Sequence, residues 1–182
     1  VSDLRIINGQ RGKVAIFKLD DKSAVLEATA DEALIQAARG ALKDDELIIA
    51  MARMQPDRFS GGFRLKLEQV WDLGAARCRF GKFLRVAVNG HAPDIARLVK
   101  DFPPQRELSE HGELVKALPV RLALQRQGEG VSARAELALG EQARFFPSDA
   151  ALASWMAQAH EGQAQIVYEE TQQIVAVRAV AM

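Results

Sequence analysis

The 182 residues carry 24 Lys and Arg against 24 Asp and Glu, and 48% of them are apolar. That is ample material for a buried core and leaves no global field to draw the chain to nucleic acid, so any such binding must be local. The single cysteine, Cys78, excludes an internal disulfide and a cysteine zinc cluster and fits a reducing cytoplasm; no apolar run approaches the roughly 20 residues of a membrane helix, so no membrane partner is expected.

The chain opens at Val1 inside strand-like sequence with no signal-peptide pattern ahead of it, and we expect a piece of a longer protein. Leu4 to Ile7 reads as a short strand and Asn8-Gly9 as a turn. Lys13 to Leu19 is a second strand, apolar on both faces and therefore central. Asp20-Asp21-Lys22-Ser23 is a polar turn leading into a third strand at Val25 to Ala28. The period then changes. Asp31 caps a helix whose Leu34, Ala37, Ala38, Ala41 and Leu42 recur on one face, with Gly40 weakening it. Leu47 to Met54 is a fourth strand. The polar, Gly-Gly-hinged loop Gln55 to Gly62 follows, and a fifth strand runs through Trp71. In that strand Phe63, Leu65 and Leu67 alternate with Arg64 and Lys66, a core face against a cationic one.

Three strands, a helix and two strands is the order of the five-stranded OB-fold β-barrel, expected here over residues 1–76. In that fold the loops joining strands one to two and four to five flank the ligand groove. Residues 1–76 hold 11 Lys and Arg against 12 Asp and Glu, so clustering matters and the total does not. Arg11 and Lys13 lie at the first loop, and Arg53, Arg58, Arg64 and Lys66 surround the second. With Phe59 at the tip of that loop, these residues make a candidate stacking surface ringed by cations, the chemistry that holds single-stranded DNA. An RNA-binding OB module of the anticodon type and a purely protein-interaction barrel are the alternatives.

Asp72 caps a helix from Leu73 to about Phe83, with 77–83 connecting the two parts of the chain. Residues 84–170 read as a small α+β sandwich of split β-α-β type. It comprises a strand at Leu84 to Val88, a helix carrying Ile95, Leu98, Val99 and Phe102, and a charged, loop-like stretch at 105–117. Strands at Val120 to Leu124 and Val131 to Leu137 follow, then a short one at Ala143 to Phe146. A helix capped by Ser148 shows Leu152, Trp155, Met156 and Ala159 on one face, and Gln165 to Tyr168 is the last strand. Phe145, Phe146, Trp155 and Met156 are core candidates, of which one or two are expected at the surface as partner-binding anchors. Residues 171–182 form a tail with no assigned structure. The overall class is α+β.

Catalytic chemistry is not expected. His91, His111 and His160 stand apart at no metal-ligand spacing, and the acidic clusters Asp20-Asp21 and Asp44-Asp45-Glu46 fall at strand ends. A phosphate-cradling Gly loop, a nucleophile elbow and a Ser-His-Asp set are missing.

Three motifs narrow the identity: Lys18-Leu19-Asp20-Asp21-Lys22-Ser23, then Phe59-Ser60-Gly61-Gly62, then Val70-Trp71-Asp72-Leu73-Gly74-Ala75-Ala76-Arg77. In order and spacing they resemble the C-terminal region of the bacterial DNA polymerase III alpha subunit, a likeness that runs over roughly residues 3–170. Pro147-Ser148-Asp149 fits it as well. Ala24 stands where the family often has Gly, and Arg58 replaces its acidic residue. The resemblance implies an OB domain beside single-stranded template DNA, held weakly, and a last domain that binds the tau subunit of the clamp loader. It further implies that the magnesium-binding polymerase core and the main sliding-clamp-binding peptide lie upstream, so no cofactor is expected in this fragment.

Overall fold

The computed structural model describes residues 1–10, 12–38, 40–57, 61–109, 112–128 and 131–169. The chain divides into two compact units, Val1–Ala76 and Arg77–Met182.

The first unit contains β1 (Ser2–Gly9), β2 (Gly12–Asp20), β3 (Val25–Asp31), α1 (Glu32–Ala37), β4 (Ile48–Pro56) and β5 (Phe63–Asp72). They form one mixed sheet in the order β1-β2-β3-β5-β4, parallel only where β3 meets β5. Alternation along the strands buries Ala15, Phe17, Ala28, Ala30 and Leu67 on one face, and Ala38 and Leu42 cover them. The Asp31 carboxylate accepts the Leu34 N–H at 3.0 Å and so starts α1 as the cap expected of it. The helix is shorter than its apolar stripe. It stops at Ala37, near Gly40, where helix costs about 1 kcal/mol relative to Ala, and Ala38, Ala41 and Leu42 finish the buried stripe from the following turns. Of the acidic residues after it, Asp44 ties the turn to the first strand: its Oδ1 accepts the Leu4 N–H at 2.9 Å.

The β2–β3 turn is built by its own carboxylates. Asp20 Oδ1 accepts the Lys22 N–H at 2.7 Å, and Asp21 Oδ1 accepts from Ser23 Oγ at 2.6 Å, Ser23 N at 2.9 Å and Ala24 N at 3.0 Å. These donors, the Ser23 hydroxyl first, hold the Asp21 carboxyl down at about 2. A carboxyl depressed in the folded state stabilises above its unfolded pKa of about 4 and loses that contribution as pH falls through the folded value. Asp21→Asn is therefore expected to flatten the acid limb of the urea-midpoint profile between about pH 4 and pH 2. A limb identical to that of the unsubstituted protein contradicts the assignment.

Asp72 Oδ1 accepts the Ala75 N–H at 2.7 Å and starts α2 (Leu73–Phe80). Gly81 ends it three residues earlier than the sequence pattern places the end. A Cβ there would strike the Arg77 carbonyl and stand 3.0 Å from Ile166 and Leu118. The second unit continues with β6 (Phe83–Val88), α3 (Ile95–Asp101), β7 (Gln105–Ser109), β8 (Gly112–Lys116), β9 (Val120–Gly128), β10 (Val131–Ala138), α4 (Asp149–Gln158) and β11 (Ala164–Val167). Asp94 and Ser148 cap α3 and α4, accepting from Arg97 N and Ala151 N, each at 3.1 Å. The main sheet runs β10-β9-β6-β11. Leu84, Val86, Val120 and Leu122 pack with Leu98 of α3 and with Ala151 and Trp155 of α4.

Three expectations for this unit are corrected. β6 and β9 are parallel and adjacent, with no strand between them, so the arrangement is not a split β-α-β. The charged stretch 105–117 is a β7–β8 hairpin whose charges pair across it, Arg106 with Glu113 at 3.1 Å and Lys116 with Glu107 at 2.6 Å. In place of a strand at 143–146 stand a 3-10 turn at Glu141–Ala143 and one bridge between Leu118 and Phe145.

Candidate nucleic-acid interface

Register, which periodicity alone cannot supply, decides which cations share a face. Arg53 lies opposite Lys66 and Gln55 opposite Arg64 on the β4–β5 ladder, while Ala52 opposite Leu67 and Met54 opposite Leu65 take the other side. Arg53, Arg64 and Lys66 therefore share the face turned away from the core. Glu68 is the extra residue of a bulge, since Ala52 pairs with Leu67 and Met51 with Gln69. Its carboxylate is ion-paired with Arg53, which removes part of that cation's reach. Lys66 is exposed and Arg64 half-buried, its Nε enclosed without a hydrogen-bond partner.

Lys13 does not join them. Alternation in β2 places it on the side of Ala15 and Phe17, and it lines an apolar depression with Leu4, Ile6, Glu32 and Ile35. Its backbone N–H donates to Glu32 Oε2 at 3.2 Å. Gly12 beside it has φ +107°, and a Cβ at that position would meet the same carboxylate.

The loop between β4 and β5 is closed at its base, where Asp57 N donates to Gly62 O at 2.8 Å and Gly61 N to Asp57 O at 3.0 Å. Arg58 and Phe59 of its tip, and Arg11 of the first loop, lie outside the described residues. Phe63 corrects the sequence pattern. Assigned there to the core, it is 59% exposed, because it is the first residue of β5, paired with Pro56 beyond the last buried layer. That puts an aromatic ring at the foot of the loop. The signal for it was available in the Gly-Gly hinge just before it, since a residue at a strand's very end has no neighbouring layer to bury it.

In the second unit Phe145 and Trp155 are wholly buried, their rings 5.4 Å apart. Phe146 is half-buried and Met156 46% exposed. Of the four residues named as partner anchors, two are core and only Met156 presents a substantial apolar surface.

Among the described residues no three His, Cys, Asp or Glu side chains are placed to hold a metal ion, and His111 lies outside them. No helix among them is long and apolar enough to cross a membrane.

No family model matches the chain. Curated relatives do, and the following share one name. The DNA polymerase III subunit alpha of Vibrio cholerae is 30% identical over 150 residues, 81% of this chain and 12% of that protein. That of Pseudomonas aeruginosa is 28% identical over 150 residues, 82% of the chain and 12% of the relative. That of Neisseria meningitidis serogroup A is 31% identical over 102 residues, 55% and 9% respectively. The chain thus spans about 12% of the length of the first relatives it matches.

Proposed function

The chain is similar to a C-terminal fragment of the bacterial DNA polymerase III alpha subunit, and from that premise we propose that it is a non-catalytic piece of a replicative DNA polymerase. In this reading the first unit holds single-stranded template DNA and the second docks the tau subunit of the clamp loader. Magnesium-dependent nucleotidyl transfer and sliding-clamp binding belong to residues outside the chain, and the work is done in the bacterial cytoplasm.

The order β1-β2-β3-β5-β4 with its one parallel contact supports assigning the first unit to the OB-fold, a Greek-key barrel opened between the first and fourth strands. The observation that carries the DNA reading is the shared outward face of Arg53, Arg64 and Lys66, running to the base of the 55–62 loop. Phosphates take the cations, and bases stack on Phe59, each stack contributing about 1–3 kcal/mol. Arg11 and Arg58 add charge from the two loops. Lys13, facing the other side of its strand, contributes little. Binding is weak, as suits a module tethered to a polymerase: the tether supplies a high local concentration of template, and a tight grip would impede movement.

Fluorescence anisotropy with single-stranded DNA and RNA oligomers of one sequence separates the readings. The template-holding module binds DNA with strong salt dependence, and Arg58→Ala with Phe59→Ala weakens it several-fold. An RNA preference favours the anticodon-type module, and salt-independent or absent binding to both favours a protein-interaction barrel. For the second unit, Met156→Glu is expected to abolish capture of the tau subunit in a pull-down with a fold unchanged by circular dichroism. Undiminished capture removes the α4 surface from that contact.

A further inference from the structure

Among the described residues, helices cover the four-stranded sheet of the second unit on one face only. α3 and α4 pack over Leu84, Val86, Val120 and Leu122, while register sends Arg85, Arg121, Arg134 and Glu136 to the other face. Between them Ala87 and Ala123 keep the floor low, and the result is an open depression of about 1240 Å³. Two of its arginines are held in place. The Arg121 guanidinium lies 3.9 Å from the centre of the Phe83 ring and that of Arg85 lies 5.6 Å from it, and Phe83 beneath them is 2% exposed. Stacking of this kind fixes the planar fork that takes carboxylates pairwise.

The face already binds a carboxylate. Glu136 stands 3.3 Å from both Arg85 and Arg121, while Arg134, two residues along β10, is exposed and has no ion-pair partner among the described residues. Three arginines line the depression against two acids, Glu136 and Glu169, which leaves it a surplus of positive charge. We infer that this bare sheet face docks an acidic peptide segment of a protein partner. Arg134 takes one carboxylate, the Arg85–Arg121 pair accepts another in exchange with Glu136, and small apolar side chains settle over Ala87 and Ala123. A nucleic acid fits worse. The Phe83 ring beneath the patch is sealed under guanidinium groups and cannot stack on a base, and Glu136 stands where a row of phosphates would run. The face is opposite to the α4 surface assigned to tau and lies outside the unit assigned to DNA, so it stands apart from both readings.

The test uses the full chain and a fluorescein-labelled peptide in which Asp alternates with Ser and Leu, beside a twin carrying Asn for Asp. The Asp peptide is expected to bind and its twin not. Arg134→Glu should weaken binding by about three- to tenfold, the range of a lost and reversed exposed pair. Glu136→Gln removes the carboxylate that competes with the peptide and should tighten it, a change that a merely structural Glu136 would not produce. Equal binding of the twin, no binding of either peptide, or indifference to both substitutions overturns the proposal. Single-stranded DNA binding should be unchanged by Arg134→Glu; a loss there assigns the face to nucleic acid and likewise overturns it, without touching the Arg64 and Lys66 face.

Discussion

Replacing Trp155 by Ala is expected to remove about 3–5 kcal/mol from the second unit, the usual cost of emptying a buried aromatic site. Trp155 is wholly buried, in tilted contact with Phe145 and packed in one cluster with Leu84, Val86, Leu98 and Leu122. A whole domain holds only about 5–15 kcal/mol, so the loss should separate the unfolding of this unit from that of the other in a urea titration followed by circular dichroism. Trp155→Phe sharpens the test. The indole Nε1 is buried without a hydrogen-bond partner, a state that itself costs about 1–3 kcal/mol. Phe removes that donor along with some volume, and the two effects oppose one another. The Phe variant should therefore stay close to the parent while the Ala variant falls well below it. If Ala is tolerated as well as Phe, the core of this unit is not centred on α4.

Neutralising Arg64 and Lys66 together is the second large effect. Glutamine at both positions keeps the aliphatic stems that cover the sheet and removes the charges. At about 0.7 kcal/mol apiece, within the range of exposed ion pairs, the two changes sum to about a tenfold loss of affinity for a single-stranded oligonucleotide. Arg53→Gln should cost less, because Glu68 already engages that guanidinium. Lys13→Gln should cost nothing, because alternation turns Lys13 to the opposite face. Equal losses at Lys13 and Lys66 would mean that binding follows overall charge and not this face.

What the sequence could show was local. Apolar runs bounded by turns, and alternation in the fifth strand, located every strand of the first unit, and Asp31, Asp72 and Ser148 announced their helices because a side-chain oxygen at a helix start answers a need of the backbone itself. Relations between strands were not legible. The bulge at Glu68, the separation of Lys13 from Arg53, Arg64 and Lys66, and the adjacency of β6 and β9 all depend on register, and no single strand records that. The β7–β8 hairpin was missed because its residues are mostly charged, and their pairing across the ladder only becomes visible once the two strands are opposed. Phe63 was misplaced for a related reason: its period is that of the core, but the core stops one layer short of it. Phe145 and Trp155 were correctly suspected of being core, whereas the arginine face of the second sheet depends on register and shows only once the strands are paired.

The central claim is that the outward face of β4 and β5 engages phosphates, and the salt dependence of oligonucleotide binding tests it most directly. For single strands each phosphate contact contributes a slope of about −0.7 in log affinity against log salt, so three contacts give about −2 and a fall of about fifteen- to twentyfold between 50 and 200 mM salt. Glutamine at Arg64 and Lys66 should reduce that slope by about 1.4 while glutamine at Lys13 leaves it alone. A slope near zero in the parent chain, or one that the Arg64 and Lys66 changes do not move, contradicts the account.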